Sequence, residues 1–158
     1  MTIKLVRTSA SKTEMSEIVL PSHANNLGTV FGGVVMQWID ACAAMAAQRH
    51  CRRTVVTAAV DELQFLMPIH LGDIVILSAQ VNAAFKTSME VGVRVDAEDP
   101  KTGHRRKCLD ALVTFVALDD DGKPTQVPPV VPETDEDRQR LQEARARRAE
   151  RLAKRPAK

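Results

Sequence analysis

An α+β fold, in which one long buried helix is wrapped by a curved antiparallel sheet, is what this 158-residue sequence predicts. Three observations predict it. The apolar run over residues 32–50 is too long for a typical strand and is rich in Ala and Met, which favour helix. Four later segments, 54–63, 74–85, 88–98 and 106–118, carry β-branched residues or two-residue alternation, as in Met89-Glu90-Val91-Gly92-Val93-Arg94-Val95. Turn formers separate them, so the strands follow one another as an antiparallel run. A curled sheet around the single helix covers both most simply.

In chain order, residues 12–20 read as a first strand ended by Pro21, and 22–28 are rich in turn formers. Gly32-Gly33 opens the helix, and Gln48-Arg49-His50 closes it with basic residues suited to a helix C-terminus. Its apolar residues fall on every face, which predicts burial all round. Pro68 with Gly72-Asp73, then Lys86-Thr87, then Pro100-Lys101-Thr102-Gly103 mark the turns between strands, and Asp120-Asp121-Gly122 follows the last. In Val127-Pro128-Pro129-Val130-Val131-Pro132 the prolines, with fixed φ and no N–H, interrupt regular structure. This divides the chain into a domain over 1–132 and a charged tail over 133–158. In the tail, Thr134 and Asp137 resemble a capping box, and acidic residues precede basic ones as the helix dipole favours. Leu141, Ala144, Ala149 and Leu152 form only a thin stripe, which predicts a solvated or loosely docked helix.

The net charge of +2 hides an asymmetry: residues 138–158 hold nine of the 22 Lys and Arg and two of the 20 Asp and Glu, a balance of +7 against −5 for the rest. Only five aromatics are present, Trp38 and four Phe, which gives no base-stacking platform and argues against a nucleic-acid module. Residues 34–47 are interrupted by Gln37 and Asp40, so they fall short of a membrane span. The opening residues lack a sustained apolar segment, and the expectation is a cytoplasmic protein. Cys42, Cys51 and Cys108 are odd in number and widely spaced, and the four His are scattered. We read the thiols as reduced and buried and expect no metal site.

Asp40 is the most informative residue. It lies mid-helix among apolar neighbours, where an idle buried carboxylate is costly unless paired or protonated. Pairing with a buried donor is the structural alternative to a general base or nucleophile in a water-poor site, its pKa raised by desolvation. Gly28, Gly32 and Gly33 stand just before the helix. They allow close backbone approach, and the free N–H groups of a helix N-terminus suit an oxyanion. The glycine spacing fits neither G-x-x-x-x-G-K-[ST] nor G-x-G-x-x-G, and no G-x-S-x-G is present. One carboxylate with oxyanion donors is adequate for a thioester, whose thiol leaving group, with a pKa of about 8.5, needs no general acid.

Pro21 through Asp40, P-S-H-A-N-N-L-G-T-V-F-G-G-V-V-M-Q-W-I-D, resembles the first signature of the hotdog-fold acyl-CoA thioesterases. The likeness is to the single-domain YciA-type group, related to the tandem-domain brain acyl-CoA hydrolase. Val55-Val56-Thr57, Phe65-Leu66-Met67-Pro68, Gly72-Asp73-Ile74-Val75, Thr87-Ser88-Met89-Glu90-Val91 and Phe115-Val116-Ala117-Leu118-Asp119 follow in that family's order, and the resemblance covers roughly residues 12–128. It implies a hotdog fold, a homodimer that joins two sheets, often in hexamers, and active sites at the dimer interface. It also implies hydrolysis of acyl-CoA to CoA and a carboxylic acid, with CoA as substrate moiety and no separate cofactor. Asp40 matches the catalytic carboxylate, Asn25 the asparagine that positions thioester or water from the opposite chain, and Gly33, with Gly32 beside it, the oxyanion donor. Thr57, Lys86, Thr87 and Ser88 are the expected CoA contacts, and Arg105 and Arg106 offer charge to its phosphates. Phe85 stands where many members carry Gly, and Gln64 where Asn is frequent. The alternatives are a non-catalytic acyl-CoA-binding hotdog protein, or one whose basic tail meets RNA or a membrane.

Overall fold

The computed structural model describes residues 3–61 and 63–157. The chain runs β1 (Val6–Arg7), a 3-10 turn, β2 (Thr13–Ile18), a second 3-10 turn, α1 (Gly32–Cys51), β3 (Thr54–Asp61), β4 (Ile74–Ala84), β5 (Ser88–Glu98), β6 (Arg105–Leu118), β7 (Val130–Val131) and α2 (Asp135–Ala153). Strands β2, β4, β5, β6 and β3, in that order, form one antiparallel sheet. It curls round α1, the architecture expected. Ladder registers shift between Val81 and Ala83, between Val95 and Asp96, and between Thr57 and Ala59. Such bulges increase local twist and bend, which lets a sheet wrap a helix.

Helix α1 starts where Phe31 leaves the extended region and Gly32-Gly33 adds no side-chain bulk. It stops at Arg52, whose φ of 54° is left-handed and whose N–H donates to Gln48 O at 2.8 Å. Arg49 and His50 in the last turn complement the dipole. Val35, Ile39, Cys42, Ala43, Ala46 and Ala47 are buried against the concave side of the sheet, where Leu77, Val91, Val113 and Phe115 meet them. Burial of one such large apolar side chain contributes about 1.5–3 kcal/mol. The expected burial all round is not what α1 has. Met36, Gln37, Asp40, Ala41 and Met45 form an exposed stripe, because a five-stranded sheet covers only part of a helix's circumference.

The proline segment becomes a strap across one end of the body. Val127 N–H donates to Lys86 O at 3.0 Å, Pro128 O meets His50 Nε2 at 2.7 Å, and Val130–Val131 pair in parallel with Val6–Arg7. Neither short strand is legible as a period. Beyond the strap, α2 is seated on the convex face of the sheet rather than loosely docked. Leu141 and Ala144 are buried with Ala83, while Ala149 and Leu152 stay exposed. Polar contacts do the rest of the seating.

Candidate active site

Asp40 projects from the middle of α1 toward β3, where Thr57 Oγ1 donates to its Oδ1 at 2.6 Å. On the ladder Thr57 faces Phe115 and Val60 faces Val113, both partners being core residues. The bulge at Ala58 therefore puts Thr57 and Val60, three residues apart, on the same concave side. Asp40, Thr57, Gly33, Met36, Gln37, Ile39, Val60, Leu63 and Val113 line a hollow of about 330 Å³. Its walls are mainly apolar, and one side is open. Asp40 itself is exposed in the protomer, against the expectation of a buried carboxylate, because it sits on the uncovered stripe of α1. Among the described residues nothing donates to its Oδ2 and no basic side chain clamps it.

Gly33 lies about two turns before Asp40, at the rim of the same hollow. The N–H groups of Val34 and Val35 turn back to Phe31 O. Those of Gly32 and Gly33 have no acceptor among the described residues, as the first turn of a helix leaves them. A Cβ on Gly33 would meet nothing within 4 Å, and one on Gly32 would touch the Phe65 ring at 3.8 Å. Gly33 thus presents a free donor, with the helix dipole behind it, to the space over Asp40.

Asn25 does not join this hollow within the chain. Its Oδ1 accepts from Leu27 N–H at 2.9 Å and Thr29 N–H at 3.2 Å, and its Nδ2 donates to Thr29 Oγ1 at 2.9 Å. It shapes an Asx turn ahead of α1. Lys86 and Thr87 lie in the β4–β5 turn and Ser88 opens β5, none of them lining the hollow with Asp40; Lys86 is exposed, and Ser88 Oγ accepts from Arg148 at 3.2 Å. Arg105 is exposed and paired with Glu98 at 2.9 Å. Arg106 is engaged by Asp73 at 2.5 Å and Pro68 O at 2.9 Å. Gln37, Met36, Val60, Leu63 and Val113 were not singled out in the sequence, because only the bulge and the curl bring them together.

The cysteines are buried, and burial pushes their thiols up, Cys42 to about 11. Thiols held protonated in this way are not nucleophiles. A larger cavity, about 720 Å³, lies between α2 and the convex face among Ser78, Gln80, Gly92, Arg94, Lys107 and Glu143. It holds none of the predicted catalytic groups.

Comparison with known proteins decides the family. Residues 27–104 match the model of the thioesterase superfamily. Over 127 residues the chain is 46% identical to the uncharacterized acyl-CoA thioester hydrolase YkhA of Bacillus subtilis, an alignment covering 80% of this chain and 74% of that protein. The chain belongs to the thioesterase superfamily. Cytosolic acyl coenzyme A thioester hydrolase of Rattus norvegicus is 37% identical over 150 residues, 93% of this chain, which spans only 39% of that longer protein.

Among solved structures, an acyl-CoA hydrolase from Staphylococcus aureus, bound to butyryl coenzyme A and coenzyme A, superposes with a TM-score of 0.88 at 39% identity. The match covers 95% of the thioesterase and 92% of that chain. A hexameric acyl-CoA thioesterase superposes at 0.90 with 39% identity over 97% and 100% of the two chains. The fold of the thioesterase is the hotdog fold. Alanine variants of the Staphylococcus aureus hydrolase at one aspartate, one asparagine and one threonine share it, with TM-scores of 0.87, 0.84 and 0.85.

Proposed function

We propose that the thioesterase hydrolyses acyl-CoA to free CoA and a carboxylic acid at the hollow between α1 and β3, with Asp40 as its carboxylate. The observation that carries this is the Thr57 hydroxyl bonded to Asp40 Oδ1 beneath the free N–H of Gly33. One carboxylate oxygen is thereby oriented, and the other is left for chemistry. In the Staphylococcus aureus variants the replaced asparagine lies 15 residues before the replaced aspartate, and the threonine 17 after it. Asn25, Asp40 and Thr57 have those same separations here.

In the reaction the thioester carbonyl lies over Asp40, its oxygen toward Gly33 N–H, which with Gly32 beside it stabilises charge as it develops. Asp40 either takes a proton from the attacking water or attacks the carbonyl itself to give an anhydride that water opens. Both routes consume one water and release the thiol of CoA and the acid. The leaving thiolate needs no general acid, and no cofactor or metal is called for.

A second copy of this chain covers the open stripe of α1 in this reading. Met36, Met45, Val56 and Val60 are exposed on the helix and on β3, which lies at the sheet edge, and an unpaired edge is a template for pairing. The hexameric relative supports a homodimer assembled into a hexamer. Such a dimer brings water exclusion to Asp40 and carries Asn25 of the opposite chain to it. Lys86, Thr87, Ser88 and Arg105 then remain as surface contacts for the CoA arm, with Arg106 already engaged. The cytosolic relative accords with a cytoplasmic setting.

Asp40→Asn tests the reading. With released thiol followed from acetyl- to palmitoyl-CoA, the variant is expected to lose about 10²- to 10⁴-fold in kcat while its unfolding midpoint stays at the wild-type value. Wild-type turnover in the folded variant would falsify the role of Asp40.

A further inference from the structure

The basic tail that the sequence left without a task reaches the back of the active-site strand. Arg151, in the last turn of α2, donates from Nη1 to Asp61 Oδ2 at 2.8 Å and to Thr114 Oγ1 at 3.1 Å. Both acceptors stand on the convex side. Thr114 pairs with Ala59, and Asp61 pairs with Leu112, immediately after the Thr57/Ala59 bulge. The same few residues carry Thr57 and Val60 on the concave side, one bonded to Asp40 and the other lining the hollow.

The ladder that joins β3 to β6 is interrupted at the Thr57/Ala59 bulge, so the residues beyond it are held less regularly than the rest of the sheet. Arg151 ties the far end of β3 to β6. We infer that Arg151 is a positioning residue for the hydrolysis: by holding Asp61 to Thr114 on the convex face, it fixes the bulged segment and thereby seats the Thr57 hydroxyl on Asp40. The inference rests on the reading of Asp40 given above. The pair is about one third exposed on each side, 34% for Arg151 and 29% for Asp61, so its loss costs little global stability. Small displacements of a group that aligns the reacting carboxylate, by contrast, are felt strongly in rate.

Steady-state hydrolysis is measured for wild type, Asp40→Asn, Thr57→Ala, Arg151→Ala, Arg151→Lys and the double variant Thr57→Ala/Arg151→Ala. Arg138→Ala, at an exposed residue whose side chain pairs with Asp135, serves as control. The expected result is a kcat about 10-fold lower in Arg151→Ala with KM within about twofold, and most of that loss recovered by Arg151→Lys. The double variant is expected to be no slower than Thr57→Ala alone, since two residues acting through one contact are not additive. Amide exchange over residues 57–61 accelerates in Arg151→Ala while α1 is unchanged.

Wild-type kcat in Arg151→Ala overturns the inference. So does a double variant slowed by the product of the single effects, or an equal loss in the control. Should wild type itself release no CoA, the reading of Asp40 fails, and the inference is decided by exchange alone: unaltered protection of residues 57–61 overturns it.

Discussion

The two faces of the sheet handle polar groups in opposite ways. On the convex face, buried charge is fully answered. Glu90, wholly buried, accepts from Arg147 Nε at 3.0 Å, from Arg147 Nη2 at 2.7 Å and from Asn82 Nδ2 at 3.2 Å. Asp137 accepts from Thr8 Oγ1 at 2.6 Å, Gln80 Nε2 at 2.9 Å and the N–H groups of Glu133 and Thr134. On the concave face the surroundings are apolar, yet among the described residues Asp40 has one oriented oxygen and one without a donor, under backbone N–H groups that also lack an acceptor. A satisfied network holds α2 in place and has nothing left to offer a ligand. An unsatisfied constellation beside a hollow is where a ligand completes the count. The contrast separates what stabilises the thioesterase from what equips it.

Three changes break or sharpen that contrast. The largest effect is expected from Arg147→Ala, which leaves Glu90 buried without its cation. The loss is about 3 kcal/mol in chemical denaturation, and a loss under about 1 kcal/mol, the range of an ordinary surface pair, would erase the distinction between the faces.

Acid comes next. Burial works against the charge on Asp137, but hydrogen bonds from Thr8, Gln80 and two backbone amides outweigh it and hold the carboxyl well below its ordinary range. A depressed carboxylate stabilises the fold fully above its unfolded pKa of about 3.9, and that stabilisation is lost as pH falls through the folded value. Exchange protection of α2 is therefore expected to hold at neutral pH and to decline progressively below about pH 4, far less so in Asp137→Asn, which carries no charge to lose.

The smallest effect belongs to Phe85, whose ring lies under the Arg148 guanidinium at 4.4 Å. Phe85→Leu keeps the apolar volume and removes the ring, and it is expected to cost about 0.5–1 kcal/mol by thermal unfolding. Phe85, beside the β4–β5 turn, gives Arg148 of α2 this seat.

The concave side was largely legible in the sequence. Alanine-rich α1 and the alternating strands β4, β5 and β6 have strong periods; β5 has the limits expected, and the other three differ by one residue at one end. Asp40 and Gly33 stood out because each breaks or opens an apolar run. The pairing of Asp40 with Thr57 was hidden, because strict alternation puts Thr57 on the side of Asp61 and only the bulge groups it with Val60.

The exposure of Asp40 was hidden for another reason. Neighbours along a helix report its composition, not which of its faces the chain covers. The seating of α2 was least legible. Its contacts to Glu90, Asp61 and Ser88 join residues 57, 90 and 60 positions apart through charged groups, and in one dimension a run of arginines reads as a surface for water. Five of the nine basic residues in that run pair with Asp135, Glu136, Glu90, Asp61 and Glu150.

The strap that leads from β6 to α2 also acts in states where α2 has come away. Pro128, Pro129 and Pro132 cannot swivel about φ, so a released α2 explores a narrow cone and stays near its seat. Each rigid link of this kind trims the disorder of the detached ensemble, a gain of about 0.4–1 kcal/mol per proline at a compatible position. Reattachment is thus favoured by a segment that itself touches neither Glu90 nor Asp61.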